Sequence, residues 1–543
     1  MYTPRRLTVM IRRCLAYLAG GAALTLVVAA CGSGSTSGSG SATGANTSTG
    51  AAASSSRPVL RVGMVNYGAS LDPTTPTAPN AQIQVLSNEP IIYGEPNGQY
   101  VPGLATSWRY IGGGTKNFEF TLRHNARFSD GSPVTAAALK AWFLFFASSH
   151  SEYQPDIPIK SIDTVGNWTV ILHLKAPTPD LPSQLSEFGG AWGFVVSPKA
   201  FAHPAGLATQ PDGAGEYEVV PSQTVTGSVY TFVPNPYYYN PSAAKFSKVI
   251  IKIITQPSTM LAAITSGQLD VANGDPTTVD AAKSAGLQIV QAPTGWDGLF
   301  FFDKAEPAIG GPGRNPLSSL DVRRALNYAI DRSVVTKAIL GAYGAPTSEG
   351  PSTDGYDPSY ANYYPYDPAK AKALLAAAGY PHGFTLTILS QSWWGTIGDR
   401  FLEATAQYLS AVGVTLNIKT GYTNAKWNSD AAGGQYYWSG FVQTPLIPTY
   451  EWYEYFLGPK ALLNQHGYDD PVMDSLYQRG VNATTPVAAA GIWRQMMARV
   501  VTQADEVPVF EEPSFWYVAK GFGGVAFNGA TGYPYPTDWY PTK

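Results

Sequence analysis

Residues 384–418 read FTLTILSQSWWGTIGDRFLEATAQYLSAVGVTLNI, and their periodicity decides the fold class. Phe384, Leu386 and Ile388 alternate with threonines, the pattern of a strand with one buried face. A helix follows from about Asp399 to Ala411, and then Val414, Leu416 and Ile418 restore the two-residue period. Strand, helix and strand in succession make a βαβ unit, so the two strands are expected to run parallel with a right-handed crossover. In open α/β sheets, ligands collect beyond the carboxyl ends of the strands. The loop leaving Leu389 at that end carries Gln391, Trp393 and Trp394, an amide and two indoles that suit a recognition surface. Packing of one indole against the sheet fits the pattern equally.

The alternation of strand and helix recurs toward both ends of the chain. Residues 59–65 alternate as a strand, and Tyr67 beyond it joins the candidate contacts. Phe118, Phe120 and Leu122 precede an Asp130-Gly131 turn, after which Thr135 is placed to cap a helix through Leu139, Trp142 and Phe146. Residues 249–255 are nearly all β-branched, as in a strand buried on both faces, and Pro257 opens a helix ending near Gly267. Ser318 and Asp321 resemble a capping box for one helix with an apolar face of Val322, Ala325, Leu326, Ala329 and Ile330, fading by Gly341. Asp367, Pro368 and Gly379 frame the next helix. Trp296, between two apolar strands, is a further candidate contact with core packing as the alternative.

The amino terminus speaks to the compartment. Arg5, Arg6, Arg12 and Arg13 precede an apolar run of residues 15–30, too short for the roughly 20 residues of a permanent membrane helix. Residues 1–30 therefore read as a signal peptide, and the arginine pairs leave the general and twin-arginine export routes both open. Val28-Ala29-Ala30-Cys31 resembles a lipobox, which makes Cys31 the expected lipidated residue and membrane anchor. Residues 31–57 are almost pure Gly, Ser, Thr and Ala, a flexible tether. The expected location is the cell envelope, on the outer face of the cytoplasmic membrane or in the periplasm.

Composition narrows the chemistry. The 543 residues carry only 13% charged side chains, 13% aromatics, 55 Gly and 43 Pro, a loop-rich profile. Net charge is −3, and without the four leading arginines it is −7, which disfavours a nucleic-acid partner. No nucleophile elbow, Walker loop or dinucleotide turn occurs in the folded part. The six histidines are scattered, and only Cys14 and Cys31 are present, so neither a metal site nor a cofactor is expected. The acid pairs Glu451 with Glu454, Asp469 with Asp470, and Glu511 with Glu512 raise a glycosidase reading, but each pair is close in sequence and reads more simply as solvated surface acids. The tyrosine runs 237–239 and 450–456 fit core packing better than sugar binding.

Three motifs in order carry a family resemblance. They are Tyr100-Val101-Pro102-Gly103-Leu104-Ala105-Thr106-Ser107-Trp108, Phe120-Thr121-Leu122-Arg123, and Phe128-Ser129-Asp130-Gly131-Ser132-Pro133-Val134-Thr135. Further on come Asn315-Pro316-Leu317-Ser318, residues 322–332, and Tyr366-Asp367-Pro368-Ala369-Lys370-Ala371. The chain thereby resembles the extracellular solute-binding proteins of family 5, receptors of peptide, nickel and related ABC importers, over residues 59 to about 516. That resemblance implies an α/β, two-lobed periplasmic-binding-protein-like fold of type II, the large class with an extra subdomain. It implies a first lobe over 58–291 with an insertion near 86–194, a second over 292–508, and a return of 509–543 to the first. It also implies a non-enzymatic receptor that closes on a small solute, with an oligopeptide favoured, and delivers it to an ABC permease and its ATPase.

Two departures bear on the solute. Peptide-binding relatives carry an Asp shortly after a Gly-Trp, where this chain has Ser439-Gly440-Phe441-Val442-Gln443-Thr444-Pro445. Phe441 stands for the Trp and Thr444 near the acid, and a hydroxyl cannot anchor a buried ammonium as a carboxylate does. Phe441, Gln443 and Thr444 complete the candidate contacts. Where the family has a Gly-Thr-Gly-Pro-Tyr turn, the chain reads Gly213-Ala214-Gly215-Glu216-Tyr217, and Glu216 is expected at the surface. A sugar or other neutral polar solute is the alternative ligand, and a surface hydrolase or an adhesion or signalling receptor the alternative classes.

Overall fold

The computed structural model describes residues 57–542 apart from 66–69, 75–80, 96–98, 150, 152–156, 188–190, 302–303, 306–314, 352–353, 391–395, 422–423, 433–439, 446–448, 462, 465–466, 484 and 528–533. For the strand Gly440–Pro445 the backbone alone is described. Tyr67, Gln391, Trp393, Trp394 and Cys31 lie outside the described residues.

One 11-stranded sheet runs through the molecule. Its order is Val414–Lys419, Phe384–Leu389, Gly440–Pro445, Gln288–Phe300, Glu506–Val518, Val271–Asn273, Val59–Met64, Lys248–Ile253, Val229–Pro234 and Tyr217–Val219, with Ala345–Pro346 branching onto Glu506–Val518. Val59–Met64 pairs in parallel with Lys248–Ile253, and Phe384–Leu389 with Val414–Lys419, so parallel layers occupy both ends. Val249 and Ile251, which share one face, are fully buried, whereas Ile250 and Lys252 on the other are half-buried, so the strand expected to be buried on both faces is fully covered on one.

Two 13-residue strands, Gln288–Phe300 and Glu506–Val518, join these layers. They pair antiparallel along their whole length, with Pro293 opposite Pro513 and an irregularity from Pro293 to Gly295. Neither proline can donate to the ladder, and a second irregularity follows between Asp297 and Gly298. Alternation on the first strand sends side chains to two separate cores. Leu299 and Phe301 join Leu326, Leu386, Phe401 and Phe510, whereas Trp296 and Phe300 join Trp452, Trp493 and Met497. A third core holds Leu60, Val62, Ile251, Trp516 and Trp539 around the other parallel layer. Trp539 packs edge-on against Trp516 at 5.6 Å, which brings the end of the chain back to that core.

A separate four-stranded antiparallel sheet, Ala105–Tyr110, Asn117–Leu122, Thr169–Leu174 and Ile159–Val165, stands apart from the main one. The helix Ala136–Ser148 covers it, burying Trp142 and Phe146 against Phe120 and Trp192. The Thr135 hydroxyl accepts from the Ala138 N–H at 3.2 Å and starts that helix. Gly131 has φ +79°, the left-handed conformation its turn requires.

The expected single helix after Ser318 is instead two, Leu320–Tyr328 and Arg332–Leu340. Asp331 caps the second by accepting from Val334 N–H at 3.1 Å. Arg332 then turns inward, where its guanidinium donates to the carbonyls of Thr347, Pro508, Asn327 and Tyr364 and to Asn327 Oδ1, at 2.7 to 3.1 Å. Those five bonds cannot be made from a residue on a continuing helix face, so the break is the condition for satisfying the charge.

Of the acid pairs, Asp469 is exposed as expected, and the others are partly or fully buried. Glu451 and Asp470 are buried, and Asp470 caps the helix Pro471–Val481 while pairing with Arg499 at 2.7 Å. Glu454 accepts from Tyr477, and Glu511 from Tyr356 at 2.9 Å. Glu216 also departs from its expected surface place. It is half-buried with Oε2 enclosed and unpartnered, and burial pushes its carboxyl up to about 8.

Candidate functional site

The carboxyl ends of the parallel strands of both layers point toward the crossing of the two long strands. On the first layer, Val65 follows its strand and donates its N–H to Asn273 Oδ1 at 3.0 Å, tying the ends of two neighbouring strands together. Asp275 follows Asn273, and its N–H is held by the Tyr517 hydroxyl at 3.1 Å. On the second layer, the buried Ser390 ends Phe384–Leu389 and donates its N–H to Lys419.

Four of the sequence candidates fall on two adjacent strands. In the antiparallel pairing of Gly440–Pro445 with Gln288–Phe300, Thr444 faces Trp296, Gln443 faces Asp297, and Phe441 faces Leu299. The Trp296 indole is fully buried, stacked on Trp452 at 5.6 Å and 11°, and its Nε1 has no hydrogen-bond partner among the described residues. Gly350 makes that stack accessible to backbone: a Cβ there would fall 2.7 Å from Trp452 and 3.0 Å from Trp296.

Around this crossing the dominant chemistry is carboxylate, which the sequence candidates did not include. Asp297 is fully buried and neither of its oxygens has a hydrogen-bond partner. Burial, reinforced by the neighbouring acid Glu512, holds its carboxyl well above the usual range. Burial pushes Glu512 up to about 7, with Asp275 adding to the shift. Glu506 holds the Gly350 N–H at 2.9 Å, while its other oxygen is unpartnered. Asp354 accepts both the N–H and the hydroxyl of Thr449, at 2.8 and 2.7 Å, and burial still lifts it to about 6. The signal was present in the sequence: Asp297 is the one charge in a strand whose second half is otherwise apolar or glycine.

The two halves touch on both sides of the crossing. Gln184 Nε2 donates to the Tyr450 hydroxyl at 3.2 Å, across 266 residues of chain. Tyr343 donates to Asp280 at 2.6 Å and accepts from Lys283 at 2.9 Å. The second link is backed by apolar packing, since Tyr343 rests edge-on against Phe515 at 5.4 Å on the cluster that also holds Val279 and Ala282. Among the described residues no group of three or more His, Cys, Asp or Glu could hold a metal ion, and no helix is long and apolar enough to cross a membrane.

This architecture agrees with comparisons to known proteins. The model of the bacterial extracellular solute-binding proteins, family 5 (middle), matches residues 99–461. The glutathione-binding protein GsiB of Salmonella typhimurium is 25% identical over 442 residues, covering 77% of this chain and 82% of its own. HbpA2 from Haemophilus parasuis superposes with a TM-score of 0.76 at 19% identity, covering 89% of this chain and 100% of that one. The unliganded open form of MppA, a periplasmic murein tripeptide binding protein, gives 0.73 at 20% identity, covering 90% and 98%. Two layers hinged on two crossing strands, with their strand ends converging, are what such a receptor needs. The chain belongs to the bacterial extracellular solute-binding proteins of family 5, the two-lobed receptors that capture a small solute and pass it to an ABC permease and its ATPase.

Proposed function

We propose that this receptor takes up a short peptide, encloses it between its lobes, and releases it chemically unchanged to the importer. The observation that supports the reading is the buried carboxyl of Asp297 at the crossing, both oxygens unpartnered and with the acid Glu512 beside it, which suits a solute with a cationic end. The tripeptide named for GsiB, glutathione, and the peptide named for MppA are consistent with that class. The lobes are taken as 58–291 and 292–508, with 509–543 returning to the first and 86–194 as the insertion. Tyr67, Trp296, Gln391, Trp393, Trp394, Phe441, Gln443 and Thr444 are the proposed solute contacts.

A pool of di- and tripeptides offered to the purified protein tests this. One or a few members should raise its melting temperature, by the equivalent of about 2.7 kcal/mol at a hundredfold excess over Kd. They should be recovered intact by mass spectrometry. Cleaved products would support the hydrolase reading, and stabilisation by oligosaccharides alone would support a neutral polar solute.

The reading includes an anchor at Cys31 on the envelope's membrane. Cys31→Ser should move the protein from the membrane fraction to the soluble one. Persistence in the membrane would point to a retained apolar helix.

A further inference from the structure

We propose that Asp297, backed by Glu512, is the anchor for the positively charged α-ammonium of the solute, bound at the crossing of the two lobes. The inference rests on the peptide reading above and names the group by which the peptide is held.

The register sets the geometry. Asp297 is paired with Phe510, and Gly295 with Glu512, on directly neighbouring strands. Residues two apart on a strand share a face, so the side chains of Asp297 and Glu512 project from the same face of this pair. Gly295 contributes no side chain between them. On its other side Asp297 faces Gln443, a neutral residue, beside Thr444. Asp275, at the end of a strand in the other half of the sheet, acts on Glu512 from across the crossing. Acids from both lobes therefore surround this point, and among the described residues the only charged group that acts on Asp297 is another acid.

A fully enclosed carboxyl with two empty oxygens is costly, because a buried charge without partners is not compensated by water. Structural buried acids in this protein do not look like it. Asp505 is paired with Lys304 at 2.7 Å, Asp470 with Arg499, and Asp354 with Thr449. Asp297 alone combines complete burial with two unpartnered oxygens among the described residues. A cation bearing N–H donors supplies the missing partners. With that cation in place the ionised carboxyl forms a charge-assisted pair with the solute nitrogen. A metal fits less well, since no third ligating group stands close enough among the described residues.

The test offers two pools to the wild-type protein, to Asp297→Asn and to Glu512→Gln. One pool contains di- and tripeptides with free α-amines, and the other the same peptides N-acetylated. Bound members are recovered and measured by mass spectrometry, and the solute-free melting temperature of each protein is recorded. The inference predicts that the wild type retains free-amine peptides at least about 30-fold better than their acetylated forms. It predicts a comparable loss in Asp297→Asn, a smaller one in Glu512→Gln, and a solute-free melting temperature no lower than wild type in Asp297→Asn. Equal retention of both pools, or undiminished free-amine binding by Asp297→Asn, overturns the inference and leaves peptide capture standing. Retention of neither pool overturns the peptide reading and this inference with it. The acetylation comparison uses the wild type only, so it decides the matter even if both variants fail to fold.

Discussion

Arg332 and Asp297 are both buried charges, and their surroundings treat them in opposite ways. Arg332 donates five hydrogen bonds, and burial lowers its guanidinium only to about 10, so it stays charged and staples two helices to Pro508. Asp297 has none, and burial with the neighbouring Glu512 holds its carboxyl well above the usual range. Other carboxyls share that tendency. Burial lifts Glu89 and Glu512 to about 7, Glu187, Glu216 and Glu349 to about 8, and Asp354 and Asp538 to about 6. In the unfolded chain these groups titrate near 4. The folded state therefore binds more protons between about pH 4 and 8, and the stability this provides is complete below about pH 4 and lost as pH rises through 6 to 8. Thermal denaturation followed by circular dichroism should show a melting temperature that falls from pH 5.5 to pH 9, and a rise across that interval would refute the assignment.

Elements with strong local signals were legible in the sequence, and those whose form depends on distant partners were not. Asp367 accepts from Lys370 N–H at 2.8 Å and Gly379 takes φ +93°, so the helix Pro368–Ala377 begins and ends where its own residues dictate. The parallel pairing of Phe384–Leu389 with Val414–Lys419 follows equally from periodicity. The break between Leu320–Tyr328 and Arg332–Leu340 could not be read locally, because its cause is a set of carbonyl oxygens at Thr347, Tyr364 and Pro508. The same holds for the site. Trp296 stood out by residue type, but its stack on Trp452 joins positions 156 residues apart. Asp297 carries weight only because the fold denies its oxygens a partner. The opposed Pro293 and Pro513 belong with these features: each is an ordinary strand residue until the register puts one against the other.

At the scale of the whole molecule, the account is of two bodies with separate cores, joined by two strands whose hydrogen bonding is interrupted where they cross. Gln184 is linked to Tyr450, and Tyr343 to Asp280 and Lys283 as well as to the apolar cluster around Phe515. A solute that touches both sides shifts the balance toward closure by the difference between its affinities for the closed and open forms. Small-angle X-ray scattering during titration with the peptide that stabilises the protein reads this directly. The account predicts that the radius of gyration falls and saturates with the same concentration dependence as binding. A radius unchanged from the free protein to the fully bound one would contradict it.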